Sequence, residues 1–301
     1  MYERMKARVG RTKKRKHNYS FSMAIPSGII YTGFFVVPII LCFITAFTDW
    51  NIRNISSFEF NGLKNFVTIF NDPYFLLSIK NTLLFAISTT ILKVFFGLML
   101  ALLLINTFKT RNVLRSIFYM PAVLNTVVIG LVFTAFFQMD GMFDQFLRFF
   151  GYTGDFIWLG DARTALWSVV FTEVWQWSGF SMMLFIAGLQ GIPKDYYEAA
   201  MIDGSSAIQR FWRITFPLLA PSFTIATITN LIGGLKVFDK IYVLTNGGPG
   251  SATQVLGTYL YKSFSAGFLG KSSAMSLVLT VLVCTITLLL NKGLRAREVD
   301  A

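Results

Sequence analysis

Six stretches of this chain stay apolar long enough to cross a lipid bilayer, near 21–47, 82–104, 116–138, 165–190, 216–235 and 274–290. A helix needs about 20 residues for the crossing. In lipid every backbone N–H and C=O must be bonded inside the segment, which leaves helices and closed barrels. Barrel strands alternate apolar and polar residues, whereas a run such as LMLALLLI at 98–105 does not. The chain is 54% hydrophobic with 32 Phe and only 14% charged residues, against about 25% charged in soluble domains. Its 301 residues would allow two soluble domains, but such a core could not hide this much apolar surface. The expectation is an all-α membrane protein with six transmembrane helices. One membrane domain would cover 21–294, with a basic tail at 1–20 and a short tail at 295–301. Pro26, Pro38 and Pro121 lie inside the spans and predict kinks, which membrane helices tolerate.

Lys and Arg orient the spans. The first 20 residues hold eight of the 27 basic side chains. With that tail in the cytoplasm, 17 Lys and Arg lie on its side and nine on the other, with Lys93 inside a span. The bias places both termini in the cytoplasm and accounts for much of the net charge of +12. The basic tail is read as an anchor on anionic membrane lipid, not as a nucleic-acid arm. It is too polar for a cleavable signal peptide, and the first apolar stretch is too long for one.

Covalent chemistry finds little purchase. Cys42 and Cys284 fall in apolar spans, so a disulfide is not expected. His17 is the single histidine and lies in the tail, which removes His-based metal sites and Ser-His triads; no paired carboxylates stand out. The segment 266–274, AGFLGKSSA, ends like a phosphate-binding loop. Ser265 occupies the place of its first glycine and no buried strand precedes it, so ATP binding there is rejected. The sequons at Asn18 and Asn54 are short enough to arise by chance.

The polar interruption EAAMIDGSSAIQRFWRITFPLLAPS, 198–222, is different. It sits in the loop 191–214 between the fourth and fifth spans, on the side of the termini. Gly191 can close one helix and Pro193 can open the next. Asp195 and Glu198 lie near that N-terminus, where the helix dipole favours anions. Tyr197, Ala200 and Met201 share a face, and Gly204 can stop the helix in a left-handed conformation. Ile208, Phe211 and Trp212 are available to pack beneath the bilayer. Two adjacent alanines offer a smooth strip for another protein. An interfacial helix that merely caps the bundle would fit the spacing equally well.

The segment resembles the signature loop of ABC-importer permeases, E-A-A, three residues, G, nine residues, I-x-L-P. Glu198, Ala199, Ala200, Gly204, Ile214 and Pro217 match in register, with Phe216 in place of the usual Leu. The stretches FNGLKNFVTIFNDPYFLLSIKNTLLFA (60–86) and VFDKIYVLTNGGPGSATQVLGTYLYKSF (237–264) resemble the carbohydrate branch of that family, the maltose and oligosaccharide importers. The resemblance implies a type I importer fold and an ATP-driven sugar importer of a bacterial or archaeal cell membrane. It implies a coupling helix carrying Glu198, Ala199, Ala200, Asp203 and Gly204, docked on a separate ATPase. The implied partners are a second similar permease, two ATPase subunits that bind ATP and magnesium, and an extracytoplasmic solute-binding protein. This chain would be no enzyme and hold no cofactor or metal. The alternatives are an importer of glycerol-phosphate or another polyol, and a stand-alone secondary transporter. The latter predicts an internal repeat, and none is clear in the sequence.

The two segments outside the spans also read physically. Leu63, Phe66, Val67 and Phe70 share a helical face, which predicts an interfacial helix. Residues 246–250, NGGPG, punctuate a loop that either lines the outer mouth or is a plain turn. Inside the spans, polar groups mark either structure or a path. Lys93 and Glu173 are the charges within spans, about 16 and 10 Å deep from the outer end at 1.5 Å per residue, and are expected to pair. Gln176, between Trp175 and Trp177, brings an amide among aromatics, a chemistry suited to sugars; Trp there also suits a membrane-interface belt. Asn125 and Asn230 are polar groups in the third and fifth spans. Gly233 and Gly234 are expected to break the fifth span. Gln176, Asn230 and Gly233 are the candidate path residues.

Overall fold

The computed structural model describes residues 24–53, 59–151, 154 and 156–296. The basic tail, the start of the first expected span, both sequons and most of the C-terminal tail lie outside the described residues. Two compact units divide the chain, 1–44 and 45–301.

The first unit holds nearly all of α1, Ile25–Thr45. Its turn Thr32–Val36 is widened to a π-helix, with the Val37 N–H bonded to the Thr32 carbonyl. Pro38 follows directly. Proline has no N–H to give and crowds the carbonyl four residues back, so a wide turn ahead of it relieves the clash without ending the helix.

The second unit is built of helices, with a β-bridge between Thr48 and Phe60. A short helix α2, Lys64–Phe70, precedes α3, Pro73–Leu104. Asp72 caps α3 by accepting the Tyr74 N–H at 3.0 Å, and Pro73 fills the first turn. The second span therefore begins nine residues ahead of the expected boundary. Val67 and Phe70 of α2 remain exposed, while Ile69 is buried.

The third span is the largest departure. It is not one helix but two, α4 Arg111–Val123 and α5 Thr126–Phe136, bent by 97°. Pro121 lies in the last turn of α4, Leu124 is extended, and Asn125 caps α5 through the Val127 N–H at 2.8 Å. A helix α6, Met142–Phe149, follows, and then α7, Ala165–Gly191. Across the 191–214 loop come α8 Lys194–Ile202, α9 Ala207–Leu218 and α10 Ala220–Leu235. The pair α9 and α10 is bent by 63°. A π turn, Phe211–Thr215, again sits just ahead of a proline, Pro217. Short helices α11 Asp239–Leu244 and α12 Leu256–Ser265 lead to α13, Leu269–Arg295. Among the described residues four unbroken helices (α1, α3, α7, α13) are long and apolar enough to cross a membrane, and counting each bent pair as one crossing gives six.

In the second unit α3, α7 and α10 pack against one another at the centre. One core joins Phe85 of α3, Ile129 and Phe133 of α5, Val169 of α7 and Ile241 of α11. The bent pair crosses α7 at Gly179, where a Cβ would stand 1.9 Å from the Phe118 carbonyl oxygen. Only a residue without a side chain lets the two backbones approach this closely.

Candidate functional site

The 191–214 loop is a braced projection. Helix α8 ends in two capping bonds, Gly204 N–H to the Met201 carbonyl (3.1 Å) and Ser205 N–H to the Ala200 carbonyl (2.9 Å). This is the pairing of a Schellman cap. It requires a left-handed residue at Gly204, whose φ is +74°, as its sequence position predicts. The next helix opens at once with a capping box. The Gln209 N–H donates to Ser206 Oγ (3.3 Å) and the Ser206 N–H to Gln209 Oε1 (2.8 Å). Arg210 Nη1 donates to the Ser205 carbonyl at 2.6 Å, and Tyr197 Oη bonds Thr215 Oγ1 at 2.9 Å. The knuckle is thus tied across its base to the π turn within α9, just ahead of α10.

What the knuckle shows outward is the matched motif. Glu198, Ala199, Asp203 and Gly204 are exposed, Ala200 is half-buried, and Ile202 is 88% exposed. Details differ from the spacing argument. Gly191 is the last helical residue of α7, Pro193 is the cap before α8 and not its first residue, and Glu198 stands one turn in from Asp195. Trp212 meets Phe211 edge-on and Phe216 at a tilt, with centroids 5.2 Å away in each case, yet keeps 59% of its surface bare.

The second polar constellation is buried. Lys93 Nζ donates to Glu173 Oε1 at 3.2 Å, the pair expected from the sequence. A third charge joins them: Lys240 Nζ donates to Glu173 Oε2 at 2.7 Å and to Gln176 Oε1 at 2.6 Å. Gln176 Nε2 in turn donates to the Leu124 carbonyl at 3.1 Å, the group exposed where the third span breaks. One network therefore pins α3, α7, α11 and the break between α4 and α5. The charge bias counts Lys240 among the nine Lys and Arg outside the spans on the side away from the termini. Its short helix instead turns back into the bundle, where Lys240, Ile241 and Leu244 are buried. The signal was present in DKIYVL, a lone Lys followed by apolar residues at helical spacing.

The candidate path residues separate. Gln176 is fully buried with both ends of its amide engaged. Asn230 is buried and donates to Ser181 Oγ and the Ala226 carbonyl, each at 2.8 Å. Gly233 is exposed, with nothing within 4 Å of where its Cβ would stand. The expected break at Gly233 and Gly234 does not occur: α10 runs unbroken to Leu235, and the bend falls at Leu219 beside Pro217 and Pro221. Asn125 is a helix cap at the other break. Trp175 packs on Phe133 of α5, centroids 5.1 Å apart.

The NGGPG segment is a turn, and the residues directly after it are tied to α3: Asn81 Nδ2 donates to the Ala252 and Gln254 carbonyls at 3.0 Å each. Lys262 Nζ donates to the Asn246 carbonyl (2.7 Å) and to Gln254 Oε1 (2.9 Å), and its burial holds its pKa below the ordinary lysine value. Nearby, Asp72 Oδ2 accepts from Tyr259 Oη and, at 3.2 Å, from Lys271 Nζ.

Apolar helices with two broken crossings, a braced and exposed knuckle and a buried polar tie fit a membrane transport component. The chain belongs to the family of binding-protein-dependent transport system inner membrane components, whose model matches residues 93–298. It is 36% identical to the probable ABC transporter permease protein YurN of Bacillus subtilis over 88% of this chain and 92% of that protein. It is 34% identical to the trehalose/maltose transport system permease protein MalF of Thermococcus litoralis, over 96% and 98%. The fold matches a chain in the crystal structure of a bacterial ABC transporter that imports the acidic polysaccharide alginate. The TM-score is 0.80 at 23% identity, covering 92% of this chain and 94% of that one.

Proposed function

We propose that this chain is one of two permease halves of an ATP-driven importer of oligosaccharides, with both termini in the cytoplasm. The observation that carries the reading is the α8 knuckle. It is rigid from within, bare on the side that bears Glu198, Ala199, Asp203 and Gly204, and joined through Thr215 to the bent fifth crossing. A separate ATPase that grips α8 displaces the whole knuckle, and the bend at Leu219 passes that displacement into α10. The chain itself holds no cofactor; ATP and magnesium sit in the ATPase. Access alternates between the two sides as the packed helices shift. A solute-binding protein delivers the sugar at the end of the bundle opposite the knuckle, near the loop 245–254. Gly233 presents the open face of α10 to the path, with Asn230 and Gln176 holding α10 and α7 behind it.

The sugar cargo is supported by relatives named for trehalose and maltose, for starch degradation products and for arabinooligosaccharides, each at least 32% identical. The test is reconstitution of the purified complex in proteoliposomes. An ATPase should co-purify, and labelled oligosaccharide should enter only with ATP and loaded binding protein. Uptake driven by an ion gradient without ATP would overturn the reading.

A further inference from the structure

Helix α6 carries more apolar surface than the protein covers. Phe143 turns inward among Phe133, Phe137 and Trp158. The adjoining stripe is Met142, Phe146, Phe149 and Phe150, at i, i+4, i+7 and i+8. These four are 64, 59, 85 and 70% exposed. Asp144 is buried against the protein, Gln145 sits at the edge of the stripe four residues before Phe149, and Arg148 is exposed on the side away from it. The stripe is held in place. Asp144 Oδ1 accepts the Trp158 Nε1–H at 2.7 Å, its Oδ2 accepts the Asp140 N–H at 3.0 Å, and Arg148 pairs with Asp140 at 2.6 Å. The link from α5 is only residues 137–141, closed by the Gly141 N–H on the Gln138 carbonyl at 2.8 Å. With α4 and α5 counted as one crossing, helix α6 begins after five linking residues, on the side opposite the knuckle, and the short link holds it beside the bilayer.

The bare stripe also continues to bilayer depth. Met142 and Phe146 share one groove of about 600 Å³ with Val128 and Val132 of α5 and Phe171 and Trp175 of α7, with almost no polar wall. Trp175 lies ten residues along α7 from its start at Ala165, about 15 Å at 1.5 Å per residue. A water-soluble partner on α6 would leave that depth uncovered. An acyl chain fills the groove along its whole length, because it reaches from the interface into the hydrocarbon.

We propose that α6 is an interfacial helix, lying flat in the leaflet opposite the knuckle, with Phe146, Phe149 and Phe150 among the acyl chains and one lipid chain in the groove against Val128, Val132 and Phe171. Such helices sink about 5–10 Å into the boundary between headgroups and chains. The helix anchors the outer end of the bent third crossing to the bilayer itself.

The test uses the whole complex, with Cys42→Ser and Cys284→Ser, in nanodiscs of dioleoylphosphatidylcholine or its dibrominated analogue. An environment-sensitive NBD label is placed at Phe149→Cys or at Arg148→Cys, and size-exclusion elution checks assembly. The label at 149 should emit at shorter wavelength and lose most of its emission in brominated lipid. The label at 148 should keep most of its emission there and be quenched by aqueous iodide. A label at 149 quenched by iodide and indifferent to bromine would put the stripe in water and overturn the proposal. Protection of 149 from both quenchers would overturn it equally, since another protein chain would then cover the stripe.

Discussion

Replacing Glu173 by Gln leaves two ammonium groups in the interior with no carboxylate between them. In the native protein Lys93 and Lys240 both bond Glu173, so the cluster carries two positive charges and one negative. Removing one partner from a buried ion pair costs about 3–5 kcal/mol, because the charge left behind has no counterion. Glu173→Gln strands both ammonium groups and belongs at the top of that range. Lys93→Met or Lys240→Met leaves Glu173 with one ammonium and no net charge. Each should cost about 1.5–3 kcal/mol, the size of a buried hydrogen bond to a charged group. The pairwise double change, Lys93→Met with Glu173→Gln, still leaves Lys240 uncompensated and should recover little. The triple change that adds Lys240→Met should recover most of the loss, since it removes every charge. Equilibrium unfolding of the purified complex in dodecyl maltoside titrated with SDS measures the series. If the double change restores stability while Lys240 remains, or if Glu173→Gln is as mild as Lys240→Met, the three-charge account is wrong.

Gly204→Val forces a β-branched residue into a left-handed position (φ +74°), a strain of at least about 1–2 kcal/mol. Uptake and coupled ATPase activity in proteoliposomes should fall while membrane insertion, read by blotting, is unchanged. Gly179→Ala drives a methyl into the Phe118 carbonyl, and the yield of folded complex should fall sharply, by the 1–3 kcal/mol or more that overpacking costs; a normal melting temperature would refute the close crossing. Burial of Asp72 raises its pKa, but the bonds from Tyr259, Lys271 and the Tyr74 N–H outweigh it, leaving the carboxyl below its ordinary value. Its contribution is therefore full above the unfolded value near 3.9 and lost as pH falls through the lower folded one. Thermal melts of the wild type and Asp72→Asn should differ at pH 6 and converge as the medium is acidified below that range. Tyr259, whose phenol is pushed up by burial and by Asp72, stays a donor throughout, so Tyr259→Phe should bring the convergence to higher pH.

The parts of the site that were legible in the sequence are those where one local rule decides the outcome. Gly204 closes α8 because a left-handed residue is needed there, and the motif supplies one at the right distance from Ala200. Lys93 and Glu173 pair because each charge inside a span needs a partner. The break of the third span was only half legible. Pro121 announced a kink, but a 97° bend also needs Leu124 extended, Asn125 as a cap, and Gly179 on another helix to receive the Phe118 carbonyl. No window of hydropathy contains Gly179 and Phe118 together. Gly233 and Gly234 misled for the opposite reason. The packing of Gly234 against Ala86 of α3, where a Cβ would stand 2.7 Å from its Cα, accounts for a small residue in a straight helix.

Lys240 makes the same point with more consequence. Counted as an outer-loop cation it served the charge bias; in the fold it is 1% exposed and completes the tie on Glu173. That tie reaches Gln176 and, through it, the Leu124 carbonyl that the broken span leaves without a helical donor. The break and the extra lysine therefore explain each other. A backbone interrupted inside a membrane must find its hydrogen bonds from neighbouring side chains. Gln176 supplies that bond at the depth of Glu173, and Lys240 occupies the other end of its amide. Gln176→Leu should thus loosen the α4–α5 break while leaving the Lys93–Glu173 bond in place, and hydrogen exchange at the amides of 124–127 would report it.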